Sequence, residues 1–203
     1  MTLSIKLARM VAGLVAIAML GSAGAAGAQD AIKQFAVEGP GQLDCAEFLS
    51  SREDRSSPEY QRFIGFVEGY MSAANRYEPN TFDLTPWHNA AGFDLIMENH
   101  CRTHPDEAIV GVVQKMVVAL KPVRVANFSP VLEVGTNEYR AQVYEAILKR
   151  TQAALKIKGY YGGAESGVYD DQLRNALLQF QQAENLTRTG VPDPATLWTL
   201  LNP

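Results

Sequence analysis

Basic clusters, long apolar runs and alternating strand patterns are all scarce in this chain. The 18 Lys and Arg are scattered among 22 Asp and Glu. With no basic stripe, a role on nucleic acid is not expected. The longest apolar run, Met10–Leu20, is eleven residues, well short of the roughly 20 that a membrane-spanning helix needs. No G-x-S-x-G and no H-E-x-x-H occurs, which removes the commonest signatures of a serine hydrolase and a zinc peptidase. Only two cysteines are present, Cys45 and Cys101. Three histidines leave little imidazole for catalysis or metal binding.

What is there begins with an export pattern. Lys6 and Arg9 precede the apolar run, and small residues Ala26 and Ala28 follow it. Those are the three regions of a cleavable secretory signal. Residues 1–28 are therefore expected to be removed, with Gln29 as the mature start and the periplasm as the destination. No cysteine stands in the stretch directly after the apolar run, residues 21–30, which argues against a lipoprotein. After cleavage no membrane association is expected. The mature chain would carry 16 basic and 22 acidic residues, a net charge of −6. In an oxidising compartment an even cysteine pair reads as one disulfide. Closing a ring of that length is worth roughly 4 kcal/mol in the chain-entropy model.

Helical periodicity dominates the rest. A short helix should carry Cys45. A second should start at Ser57 and Pro58, with Phe63, Phe66, Val67, Tyr70, Met71 and Ala74 on one face. Gly65 and Gly69, four apart, suggest a close helix crossing. A third helix is expected from Trp87 to Arg102. The fourth, opening at Pro105 and stopped by Pro122, has the clearest stripe: Ile109, Val112, Val113, Met116, Val117 and Leu120. Residues 29–121 thus read as a disulfide-bridged four-helix bundle. Residues 122–136 break the period and read as a linker. From Asn137 a new helix is expected, with Tyr144, Ile147, Leu148, Thr151 and Leu155 inside and Gly159 as its stop. Two more follow, over "DDQLRNALLQFQQAEN" and from Asp193 and Pro194 onward. The expected fold class is all-α.

The last segment, "GYYGG…SGVYDDQLRNALLQFQ…TGVPDPATLWTLL", resembles the small three-helix peptidoglycan-binding domain appended to many bacterial wall hydrolases. Matching positions are Leu155, Gly159, Tyr160, Tyr161, Gly163, Gly167, Tyr169, Ala176, Phe180, Gln181, Leu186, Thr189, Gly190, Asp193 and Thr196. Ser166, Asp170 and Leu173 depart from that family's usual Asp, Gly and Thr. The resemblance implies a non-catalytic wall-binding module at 137–203, with Tyr160, Tyr161, Gly163 and Tyr169 as candidate contacts for peptidoglycan. Residues 43–120 are more weakly similar to the HdeA-type exported single-disulfide helical domains. That likeness implies a protein partner or client, with an acid-stress chaperone or an inhibitor of a wall hydrolase as alternatives. No cofactor is implied. His100, Cys101 and His104 spell H-C-x-x-H, but with Cys101 bridged and Pro105 next, no metal site is expected.

Overall fold

The computed structural model describes residues 35–202. The expected signal, residues 1–28, and the start at Gln29 lie outside the described residues. Among those described, no helix is long and apolar enough to cross a membrane.

Helix α1 (Cys45–Ser51) starts with a reciprocal cap. The Asp44 carboxylate accepts the Glu47 amide at 2.9 Å, and the Glu47 carboxylate accepts the Asp44 amide at 3.0 Å. This fixes the entry of a very short helix and points Cys45 and Phe48 inward, both fully buried. Helix α2 (Pro58–Tyr77) is capped by Ser57, as its sequence suggests. Its buried face is Tyr60, Phe63, Ile64, Val67, Met71 and Ala74, while Phe66 and Tyr70 are only partly covered. Gly65 and Gly69 do not sit at a crossing. They are exposed, and a β-carbon at either would meet nothing within 4 Å.

Helix α3 (Ala90–Cys101) begins three residues later than expected, because Asn89 caps the Gly92 amide at 3.0 Å. Trp87 is instead a buried loop residue. Helix α4 (Ile109–Leu120) also starts late. Residues 105–108 leave the helical path to pair with the start of α1, where the Pro105 and Glu107 carbonyls accept the Ala46 and Cys45 amides. All six stripe residues of α4 are buried.

The Cys45–Cys101 disulfide joins α1 to the end of α3. Beside it lies an ionic network that local patterns did not expose. Arg52 grips the buried carboxylate of Asp94 through two nitrogens, at 2.7 and 2.9 Å, and also reaches Glu98. Arg55 adds a second cation to Asp94 at 3.1 Å. Asp94 is 3 % exposed, so its charge depends on these partners.

Beyond α4 the all-α expectation fails. Strands β1 (Val131–Gly135) and β2 (Arg140–Tyr144) form an antiparallel hairpin, with Leu132 opposite Val143 and Val134 opposite Ala141. The helix expected from Asn137 starts only at Glu145. Residues 122–136 are also no bare connection. Val123, Val125, Ser129 and Val134 are buried, and Val125 exchanges backbone hydrogen bonds with Asp83. The guanidinium of Arg150 donates to the Val123 and Arg124 carbonyls at 2.6 and 2.7 Å.

Helices α5 (Glu145–Ile157), α6 (Asp171–Ala183) and α7 (Pro194–Leu201) complete the chain. From Val37 onward the chain forms one compact unit, and one apolar core runs from Cys45 to Leu200. The described residues are therefore mostly helical, with one disulfide and one small sheet.

Candidate functional site

The C-terminal helices are held by two loops built on the same plan. Helix α5 ends in a left-handed Gly159, at φ +83°. The Gly159 amide returns to the Lys156 carbonyl and the Tyr160 amide to the Leu155 carbonyl, closing the helix end. Tyr160 then lies half-buried, edge-on to Phe180 at 5.8 Å.

The chain next turns inward. Tyr161 is 5 % exposed. Its hydroxyl donates to the Ala164 carbonyl at 3.1 Å and accepts from the Gln152 amide nitrogen at 3.3 Å. Burial raises its pKa, which keeps it a donor. Gly163 closes over this ring, and a β-carbon there would overlap the Tyr161 hydroxyl and the Gln172 side chain. Both residues are thus part of the packing. Tyr161 is not open to a wall polymer as expected from sequence.

At Ser166-Gly167-Val168 the loop meets Gln152, which is fully buried on α5. Its side-chain oxygen accepts the Gly167 amide at 2.8 Å, and its nitrogen donates to the Val168 carbonyl at 3.0 Å. The second loop repeats this arrangement. Gln181 on α6, also fully buried, accepts the Gly190 amide at 2.8 Å and donates to the Val191 carbonyl at 3.0 Å. Gly167 and Gly190 share a left-handed backbone, at φ +76° and +71°. Ser166 and Thr189 each accept the amide two residues on, at 3.2 and 3.3 Å. Asp170 and Asp193 then cap α6 and α7. The repeat S/T-G-V-x-D is visible in the sequence at residues 166–170 and 189–193, and aligning the segment with itself finds it, but that register does not pair Gln152 with Gln181.

This geometry accounts for the three departures. Ser166 does in the first loop what Thr189 does in the second. Asp170 accepts the Leu173 amide at 2.8 Å as the cap. Leu173 is fully buried and fills the core. Tyr169 fastens the two loops together, its hydroxyl donating to the Gly190 carbonyl at 2.8 Å. The ring is half-buried, and burial raises its pKa too.

Residues 145–200 match the family described as a putative peptidoglycan binding domain. The match opens on the first residue of α5 and closes within α7, so it takes in both loops and neither strand. No curated protein and no solved structure matches the chain significantly. A peptidoglycan binding domain supports association with the cell wall and a location outside the cytoplasm.

Of the four residues singled out from sequence, Tyr160 and Tyr169 reach the surface of this domain in part, and Gly163 lies at their loop. The exposed residues of the same loop are Gly162, Ala164, Glu165, Ser166 and Val168, with Val168 57 % exposed. His100 and His104 lie elsewhere, on and just beyond α3. Their rings stack at 4.4 Å, and His100 contacts the Glu107 carboxylate at 2.8 Å. Among the described residues no group of three His, Cys, Asp or Glu side chains is arranged to hold a metal.

Proposed function

We propose that the chain is an exported, non-catalytic protein that attaches to peptidoglycan through residues 145–200 and engages a protein through its N-terminal helices. The family match carries the first half of this reading. The contact surface is the outer side of the 160–169 loop. That loop offers the partly exposed Tyr160 and Tyr169 together with the exposed Gly162, Ala164 and Val168. Aromatic faces suit the apolar faces of sugar rings, and rigid tyrosines lose little entropy on binding. Destination in the periplasm follows from the signal-like residues 1–28.

Exposed apolar side chains support the second half. Tyr77 on α2 and Val118 on α4 are 76 % and 72 % exposed and line one groove. Apolar groups grouped on an otherwise polar surface suit a protein contact better than bulk water.

The substitution that tests the wall site is Val168→Glu. Its side chain is outside the core, while its backbone carbonyl still accepts from Gln152. Retention on purified sacculi should fall at least five-fold with an unchanged circular dichroism melt. Full retention by this variant would move the contact surface elsewhere on the domain.

A further inference from the structure

Strands β1 and β2 make a sheet of two, so among the described residues each has one edge without a neighbouring strand. The ladder fixes which backbone groups lie on those edges. The Thr136 amide donates to the Tyr139 carbonyl at the turn, and the Glu145 amide to the Pro130 carbonyl at the far end. Hydrogen-bonded and non-hydrogen-bonded pairs alternate along an antiparallel ladder. Val134–Ala141 and Leu132–Val143 are therefore the bonded pairs, and Arg140, Gln142 and Tyr144 aim their amides away from β1. Among the described residues, no backbone hydrogen bond from another segment reaches Arg140 or Gln142. An unpaired strand edge is a template for another strand, and proteins commonly guard it with charge. The two edges differ in this respect. β1 carries Glu133 at its centre, whereas β2 carries the neutral, exposed Gln142.

We infer that β2 pairs antiparallel with β2 of a second copy of this chain, across a two-fold axis at Gln142. The product is a continuous four-stranded sheet in the order β1-β2-β2-β1. A two-fold contact must be complementary to itself, and this strand meets that condition. On the outer face of the sheet, Gln142 lies opposite the partner's Gln142, and each amide can give and take a hydrogen bond. Arg140, which also meets Glu133 at 2.8 Å on that face, lies opposite the partner's Tyr144. A guanidinium beside a tyrosine ring is attractive. On the inner face Ala141 lies opposite the partner's Val143, apolar against apolar. No like charges oppose each other. Full-length pairing through β1 would instead set Glu133 against the partner's Glu133, which is destabilising. Exposed aromatics next to β2 favour the same contact. Phe82 meets Tyr144 edge-on at 5.9 Å and Phe128 at 5.5 Å, and Phe128 is 77 % exposed. The partner's Arg140 and hairpin end would come against this cluster and cover part of it, as suits an exposed apolar group. The inference does not depend on the wall reading, although the dimer would carry two copies of residues 145–200.

Sedimentation velocity of the full mature chain over a wide concentration range tests the pairing. A reversible monomer–dimer equilibrium is expected. Gln142→Lys puts two cations face to face at the axis and should weaken association about ten-fold or more, with an unchanged circular dichroism melt because Gln142 is exposed. The register has its own test. Opposed residues of a bonded antiparallel pair have Cα atoms about 5.5 Å apart, within disulfide reach. Gln142→Cys should thus oxidise to a covalent dimer, while Glu133→Cys, equally exposed but on β1, should stay monomeric on a non-reducing gel. A chain that is monomeric at every concentration, a dimer undisturbed by Gln142→Lys, or cross-linking through Glu133→Cys rather than Gln142→Cys would each overturn the inference.

Discussion

Gln181 is fully buried, yet both ends of its amide are engaged. Besides Gly190 and Val191, its nitrogen lies 2.9 Å from the hydroxyls of Thr189 and Thr196. Replacing it with leucine would leave the Gly190 amide and the Val191 carbonyl without this partner inside the core. Gln181→Leu should therefore cost about 2–4 kcal/mol in urea unfolding, despite the gain in apolarity. A neutral or stabilising result would mean the loop holds itself. Residues whose role is local were legible in advance: the Asp193 cap, the Gly159 stop and the two cysteines all act within one turn or by simple pairing. Gln152, Asp94 and Tyr161 were not, because their partners come from distant segments. A sequence window shows a tyrosine but not which way it turns. Titration gives a second residue-scale test. Burial holds His88 down at about 4, below its ordinary 6.5, opposed only by the charge of Asp83. The unfolded chain thus takes up the proton first. Stability should be complete above about pH 6.5 and fall by up to about 3 kcal/mol toward pH 4. Glu98, held at about 2 by hydrogen bonds from Arg52 and Arg102, adds a loss that begins below pH 4.5. Urea midpoints at pH 7.5, 5 and 3 should decline in both intervals, and His88→Phe should flatten the upper one and lessen the lower, where the loss from Glu98 remains. An unchanged upper slope in that variant would assign it to other groups.

Among the elements, α4 was the most legible, since its six apolar residues keep a strict helical period and all six are buried. The hairpin was the least. Only Val134 and Val143 are buried among its ten residues, so no alternation stands out. Tyr144 also falls in step with Ile147 and Leu148 and so extends their helical period backwards. Helix α2 shows the opposite error, a pattern with no packing behind it. Gly65 and Gly69 match a close-crossing spacing but face open space. They therefore only weaken the helix, by up to about 1 kcal/mol each. Gly65→Ala and Gly69→Ala should each raise stability by about 0.5–1 kcal/mol, seen as a melting temperature higher by roughly 1–4 °C. Destabilisation by either would show that a partner packs on that face.

At the scale of the whole molecule, the sequence divides near residue 122, whereas the core does not stop there. Two features span the division: Arg150 of the wall domain bonds the carbonyls of Val123 and Arg124, and Trp198 packs on His88. Composition could not reveal this, because a segment such as "VRVANFSP" reads as irregular whether it is exposed or clamped. The wall domain was legible at this scale through its many spaced glycines and aromatics. Its candidate surface was legible only in part, since Tyr161 and Gly163 belong to the packing. The central claim is that residues 145–200 attach this protein to peptidoglycan, and co-sedimentation with purified sacculi tests it most directly. The mature protein should pellet with sacculi in a saturable way, and soluble muropeptides should compete it off. Protein that stays in the supernatant at every sacculus concentration, while its melt shows it folded, would contradict the claim.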